Sequence, residues 1–494
     1  MNSPCFFAAS LAAFLLAGGD AFGQVKFTAV TLPSVPVGGS APQLRCADFN
    51  GDGFRDVSVL TLGLGLHLLI NDRSGSYTSG PQVPVSLALD HRVADIDGDG
   101  DTDIVLTDTA SLTRSIRLFL NDGRGNFTEA NANQMPSIPG GLYLRLADLD
   151  GDGDLDIVTS APQLTLLENR GGSFVNASAR VLRRAGGMAF EVYDVNRDGR
   201  MDLVAYDVNG IEILLQDAAG NFGAIWRSIP LVEAVMTLAL ADVDNDGDTD
   251  IFAGAGFGKD RYFEANGLSW TEASALRMPP VARGLSMRDA RFVDIDEDGD
   301  LDLVIPKTSL NTAVQDRTRI YANDGAGNFS DITTSVLAAH ADLVGDVTVD
   351  DVDGDGDTDI MYVVYSLTNT SVVLEVNGMR RCAAPASTKI GTQLDVDFYA
   401  REGFAARDLS IPLLATTVAT RAISVLDYGA LGLDLGTLLV LPAVAHSVST
   451  GKATLSLQVP NNVALAGLQV WSQGLTFQSS RLRFSNVQRT TITR

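Results

Sequence analysis

Seven copies of a nine-residue acidic phrase recur at a spacing of about 50 residues, each flanked by short runs rich in Val, Ile, Leu and Thr. Runs of that kind, broken by Gly and Asn turns, read as strands rather than helices. A third observation concerns the ends: the last repeat lacks a fourth strand, and the N-terminus offers one that has no companions. Together these predict an all-β chain, a seven-bladed β-propeller carrying cation loops, followed by a small C-terminal β-sandwich-like domain.

Residues 1–23 read as a signal peptide. Cys5 to Ala17 is apolar but too short to span a bilayer, and Ala21-Phe22-Gly23 precedes Gln24, although no Lys or Arg comes before the run. The propeller is expected over residues 24–382. Its acidic phrases begin at Asp48, Asp95, Asp148, Asp194, Asp242, Asp294 and Asp351. In each repeat a first strand, such as residues 142–147, leads into the phrase, and a second, such as 103–107, leaves it. A third, such as 116–120, ends at an Asn-containing turn, and a fourth opens on an aromatic: Tyr77, Phe127, Phe174, Phe222, Trp270 and Phe329. Packing between blades is the expected role of these rings. The seventh repeat stops after residues 371–376. Residues 26–33, with Phe27 in the aromatic place, are expected to complete its sheet and remove the open edge. Cys46 and Cys382 flank that seam and, in an oxidising compartment, are expected to pair as a disulfide. Residues 383–494 carry no acidic phrase but still alternate like strands, as in 393–399 and 453–459.

The phrases hold 32 of the 61 acidic residues of a chain whose net charge is -25. A merely solvated acidic face would not need fixed spacing. Oxygen donors at positions 1, 3, 5 and 9, a Gly at 6 for a sharp turn and a carbonyl at 7 suit an oxygen-only cage for Ca2+, so up to seven Ca2+ are expected. The candidate ligands are Asp48, Asn50, Asp52, Phe54 and Asp56 in loop one, and Asp95, Asp97, Asp99, Asp101 and Asp103 in loop two. Loop three offers Asp148, Asp150, Asp152, Asp154 and Asp156; loop four offers Asp194, Asn196, Asp198, Arg200 and Asp202. Loop five offers Asp242, Asp244, Asp246, Asp248 and Asp250, and loop six Asp294, Asp296, Asp298, Asp300 and Asp302. Loop seven offers Asp351, Asp353, Asp355, Asp357 and Asp359, and position 7 serves through its main chain throughout. An EF-hand would need a Glu at position 12, which is instead Val59, Leu106, Thr159, Ala205, Ala253, Ile305 or Tyr362. The loop is therefore a strand-to-strand connection.

Asp-x-Asp-x-Asp-Gly-x-x-Asp between strands, repeated seven times, resembles the FG-GAP (VCBS) repeat of integrin α-subunit-like propellers, over roughly residues 24–382. The resemblance implies seven blades with Ca2+ between the first and second strands of each. It also implies a secreted or cell-surface module that binds or adheres to an extracellular protein or glycan. Loops one and four depart from the pattern with Asn at position 3. Arg197 and Arg200 beside loop four should make it the first to lose Ca2+.

Two other functions stand beside this one, a polysaccharide-acting lyase or hydrolase and a glycan-binding lectin. His67, His91, His340 and His446 are scattered, with no Gly-x-Ser-x-Gly and no His-Glu-x-x-His, so an enzyme is not expected. Asp72-Arg73-Ser74-Gly75-Ser76 matches an adhesion-type metal motif but falls where the next repeat has the turn Asp122–Asn126. No basic patch or phosphate-binding Gly loop points to nucleic acid, and no later segment is apolar for long enough to cross a membrane.

Overall fold

The computed structural model describes residues 27–33 and 42–493, apart from internal stretches of nine residues or fewer. The expected signal peptide lies outside the described residues. Between Phe27 and Asn377 the described residues form seven four-stranded antiparallel sheets. The third shows the plan: Tyr143–Ala147, Asp156–Ser160, Leu164–Asn169 and Phe174–Asn176 hydrogen-bond in that order. Ala147 stands opposite Asp156, so the acidic loop is the connection between first and second strands. The second strand is buried along its whole length because both faces of a blade pack on neighbours. Hence it reads as a continuous apolar run rather than an alternation.

The ring closes on itself. The first strands, Gln43–Ala47, Ala88–Ala94, Tyr143–Ala147, Phe190–Tyr193, Ala234–Ala241, Arg291–Val293 and Leu343–Asp350, each lie beside the next, and the last lies beside the first. Apolar clusters fill the seams; the one between the seventh and first sheets holds Leu44, Val57, Met361, Val372 and Leu374. Phe27–Thr31 completes the seventh sheet, antiparallel to Thr370–Asn377 from Phe27↔Asn377 to Thr31↔Val373. The N-terminal strand therefore covers the edge that the last repeat would expose.

The recurring aromatics are seam residues, as expected. Phe27, Tyr77, Phe174, Phe222 and Phe329 are buried in five different clusters, and Phe127 and Trp270 pack against two more. One placement differs from the sequence reading. The fourth strand of the fourth sheet is Arg227–Pro230, and Phe222 instead bridges Gln216 and Val181. Its N–H donates to the Arg180 carbonyl at 2.8 Å and its carbonyl accepts from Leu182 N at 2.9 Å, so the third blade captures this backbone before the fourth strand begins.

The expected disulfide is not formed. Cys46 is a free thiol with Sγ 3.9 Å from Met361 Sδ, and burial raises its pKa. Cys382 belongs to the next layer: Cys382–Ala383 pairs with Gln393–Tyr399, Cys382 standing opposite Phe398. Strand pairing at Phe27–Thr31 locks the seam instead.

Beyond the ring, Cys382–Ala383, Gln393–Tyr399 and Lys452–Gln458 form one sheet. A larger sheet is built around Gln469–Gln478, which pairs with Leu409–Ala415, Arg481–Phe484 and Gln488–Thr493. Leu394, Val396 and Phe398 of the first share a core with Ile492 of the second, a layered packing that agrees with the predicted sandwich. Phe54, from loop one, packs with Leu413, Ala415, Leu433 and Trp471 of these C-terminal strands.

Candidate metal centres

The acidic loops share one internal network. In loop three, Gly153 N donates to Asp148 Oδ2 at 3.1 Å and Asp154 N donates to Asp152 Oδ1 at 2.9 Å. Loop one repeats both bonds, Gly53 to Asp48 and Phe54 to Asp52, and so does loop four, Gly199 to Asp194 and Arg200 to Asp198. Two positions need left-handed backbone, 6 and also 4: Gly153 has φ 96° and Gly151 φ 78°. Loops four and five place Arg197 (φ 55°) and Asn245 (φ 59°) at position 4.

Position 9 is the anchor. Asp156 accepts from Leu149 N at 2.9 Å through Oδ2 and from Asn169 N at 2.7 Å through Oδ1. Asp103, Asp302 and Asp359 do the same with Ile96 and Asn121, Ile295 and Asn323, and Val352 and Asn377. The Asn that ends the third strand then reaches backwards. Asn169 Nδ2 donates to Leu155 O in its own blade at 3.1 Å and to Ile96 O in loop two at 2.8 Å. Asn121, Asn323 and Asn377 tie their loops to Phe49, Val243 and Ile295 of the preceding loops, while Gln216 does so to Leu149. Adjacent loops are thus clamped before any ion is considered.

Burial dominates the electrostatics of these anchors. Desolvation lifts Asp103, Asp156, Asp202 and Asp250 to about 6, Asp56 to about 7 and Asp302 to about 8, against the pull of the backbone N–H donors. Neighbouring carboxylates push the same way.

Among the described residues four loops bring oxygens together: Asp95, Asp97 and Asp99; Asp148, Asp150 and Asp156; Asp242, Asp244 and Asp246; Asp294, Asp296 and Asp302, each set within 4.8 Å. The Oδ1 atoms of Asp97, Asp242 and Asp294 are buried and accept no hydrogen bond. Buried acceptors without donors, in an all-oxygen set, fit a hard cation such as Ca2+. Loops one and four keep the same backbone frame with Asn50 and Asn196 at position 3. Asp353 and Asp355 of loop seven lie outside the described residues. Of the two arginines assigned to loop four, Arg200 pairs with Asp198, but Arg197 crosses to loop five, with Nη2 2.7 Å from Asp242 Oδ2. The left-handed turn at position 4 aims it away from its own loop.

Residues 48–106, 95–159, 194–253 and 242–305 each match the FG-GAP-like repeat, and 144–175 match the FG-GAP repeat. The chain belongs to the FG-GAP repeat family. Each longer match runs from the first Asp of one loop to the second strand after the next, the unit that the clamping asparagines tie together. No curated protein matches the chain.

The FG-GAP blades also converge on a feature that the sequence reading missed. Three residues before five of the seven loops stand Arg45, Arg92, Arg145, Glu191 and Arg291, and five residues before three of the seven stand Asp90, Asp289 and Asp346. Arg45 lies 2.5 Å from Asp289 and 2.8 Å from Asp346, Arg92 3.3 Å from Asp289, and Arg145 3.2 Å from Asp289 while also binding Glu191. Arg145 of the third blade and Asp289 of the sixth meet only across the ring axis, so this network fills the channel at that level. Its four arginines and four acids balance. The recurrence of Arg at one register in three successive repeats was the available signal. His91 is fully buried with Nε2 2.8 Å from Ser58 Oγ, and burial pulls its pKa well down. Asp72 N donates to Ser76 O at 2.8 Å as Asp122 N does to Asn126 O at 3.2 Å, which makes the adhesion-like motif an equivalent turn; Arg73 to Gly75 lie outside the described residues.

Proposed function

We propose that this FG-GAP repeat chain is a secreted, calcium-stabilised propeller that binds an extracellular protein or glycan. The observation that carries the reading is one oxygen-only loop built repeatedly on the same backbone frame, with buried carboxylate oxygens left without donors in three of its copies. Position 1, 3, 5 and 9 side chains and the position 7 carbonyl would hold each ion. Bound Ca2+ would supply the positive charge that clustered carboxylates need; the chain supplies the turn, the anchor and the clamp to the neighbouring loop. Extracellular sites are filled at affinities of only ~0.1–1 mM, which suits loops two to six with their exposed donors at position 5. A binding role agrees with a channel filled by ion pairs and a Ser58–His91 pair shut away from solvent. The test is calorimetric titration of chelator-treated protein with Ca2+, followed by melting with and without chelator. Several ions bound with a raised Tm support the reading, and an unchanged Tm without binding heat refutes it.

Glycan recognition is the version favoured by a cleft of about 590 Å³ between the third and fourth blades. Glu168, Arg180, Arg200 and Gln216 line it beside Asp148 and Asp150, the expected ion ligands of loop three, so a hydroxyl-rich ligand would meet a mixture of donors and acceptors next to the ion. A glycan array run with Ca2+ and with chelator separates this from protein adhesion.

A further inference from the structure

Loop one differs from its copies in what covers it. Phe54, at position 7, is 6% exposed and sits among Leu413, Ala415, Leu433 and Trp471 of the C-terminal strands. Asp52, at position 5, is 7% exposed, whereas Asp99, Asp152, Asp198, Asp246 and Asp298 at the same position are exposed. In loops three and five the position 7 side chain holds its own blade: Asp154 Oδ2 accepts from Gly171 N at 2.9 Å and Asp248 Oδ2 from Gly267 N at 2.6 Å. Phenylalanine cannot make that bond, and its ring turns outward to the C-terminal strands instead. Arg55, the next residue, lies 3.2 Å from Asp350 of the seventh blade, so the contact stands on the seam where the ring closes.

We propose that loop one is a calcium-operated joint between the propeller and the C-terminal sheets, in which the ion fixes the position 7 backbone and thereby the Phe54 plug. The inference rests on the reading of these loops as Ca2+ sites. The mechanical link is short. Phe54 N donates to Asp52 Oδ1 at 3.0 Å, Asp52 N donates to Asp48 Oδ1 at 3.1 Å, and both carboxylates are expected ligands. Without a cation Asp48, Asp52 and Asp56 repel one another, the turn that presents Phe54 relaxes, and the ring loses its fixed place in the C-terminal pocket. Asn at position 3 lowers the ligand charge and makes this loop easier to empty than loop three, as an operated joint requires.

Trp471 in the same cluster is 6% exposed and reports the contact directly. The experiment uses the full chain with Trp226→Phe and Trp270→Phe, so that Trp471 alone emits, and follows its emission and acrylamide quenching in Ca2+ and in chelator, with small-angle scattering on the same samples. Ca2+ binding is counted in parallel by calorimetry, including for Asp48→Asn/Asp52→Asn. A red shift and a larger radius of gyration in chelator, reproduced in Ca2+ by Asp48→Asn/Asp52→Asn and by Phe54→Ser, support the joint. Removing a buried aromatic anchor should raise the undocked population by at least about tenfold. Phe54→Leu keeps an apolar plug and should stay docked, which guards against a folding defect in the serine variant. If calorimetry counts one ion fewer in Asp48→Asn/Asp52→Asn while Trp471 stays buried in that variant and in chelator, the joint is overturned and the calcium reading stands. If no Ca2+ binds the unaltered chain, the calcium reading falls and the joint with it.

Discussion

Removing the Asp289 carboxylate should cost the propeller more than any single loop substitution. Asp289 is 3% exposed and receives Arg45 at 2.5 Å, Arg145 at 3.2 Å and Arg92 at 3.3 Å, with Arg291 at 3.8 Å. Asp289→Ala leaves the guanidinium groups of three blades with one charge uncompensated in a buried site, a change that costs roughly 3–5 kcal/mol. Over a propeller of roughly 350 residues, with an unfolding entropy of about 2.1 cal/mol/K per residue, that is a fall in Tm of about 4–7 °C. Its backbone sharpens the test. Asp289 has φ 61°, a conformation that costs a side-chain-bearing residue about 1 kcal/mol, so Asp289→Gly should recover that part of the loss while Asp289→Ala does not. Asp289→Asn keeps the shape but not the charge and should fall close to alanine. Scanning calorimetry in saturating Ca2+ gives the ranking, and because the network is buried the loss should change little between low and high salt. A loss below about 1 kcal/mol for Asp289→Ala would refute the claim that one carboxylate holds these blades across the axis, since exposed ion pairs are worth that little.

Other outcomes follow from the loops. Asn169→Ala leaves the Ile96 and Leu155 carbonyls without their donor and should destabilise by about 1–3 kcal/mol in urea unfolding, the same at saturating Ca2+ as in chelator. Arg197→Ala frees Asp242 and should tighten the loop five site, read as stronger Tb3+ emission sensitised by Trp270, whose Nε1 donates to Thr249 O at 2.8 Å within that loop. Arg200→Ala should tighten loop four, the loop expected to empty first, and raise the lowest affinity seen in a Ca2+ titration. The anchors predict a pH dependence whose sign depends on the metal. In chelator the raised values of Asp156, Asp56 and Asp302 (about 6, 7 and 8) mean that the folded state holds protons the unfolded state has lost, so Tm should fall as pH rises from 5 to 8. In Ca2+ the same carboxylates are held ionised and that fall should disappear.

What could be read from the sequence divides along a physical line. Spacing and position within a repeat are local, so the period of the Asp phrases, the strand after position 9 and the spare strand at Phe27–Thr31 each pointed to the observed ring. Partners across space are not local. Cys46 and Cys382 looked like neighbours because both flank one seam, yet the seventh sheet ends at Asn377 and Cys382 enters a new strand opposite Phe398. Phe222 kept its aromatic place but lost its strand to backbone donors and acceptors of the blade before. The channel network lay between these cases. Arg45, Arg92 and Arg145 stand at one register, which is visible, but only a closed ring shows that they meet one carboxylate from the opposite blade. The departures from the repeat carried the most information. Asn50 and Phe54 read as departures that left loop one a possible site, and Arg197 as a cation beside loop four. In the folded chain Phe54 anchors the C-terminal strands and Arg197 is a counter-ion for the next loop. A repeat fixes what its copies share, and its exceptions mark where one blade has been given a neighbour that the others lack.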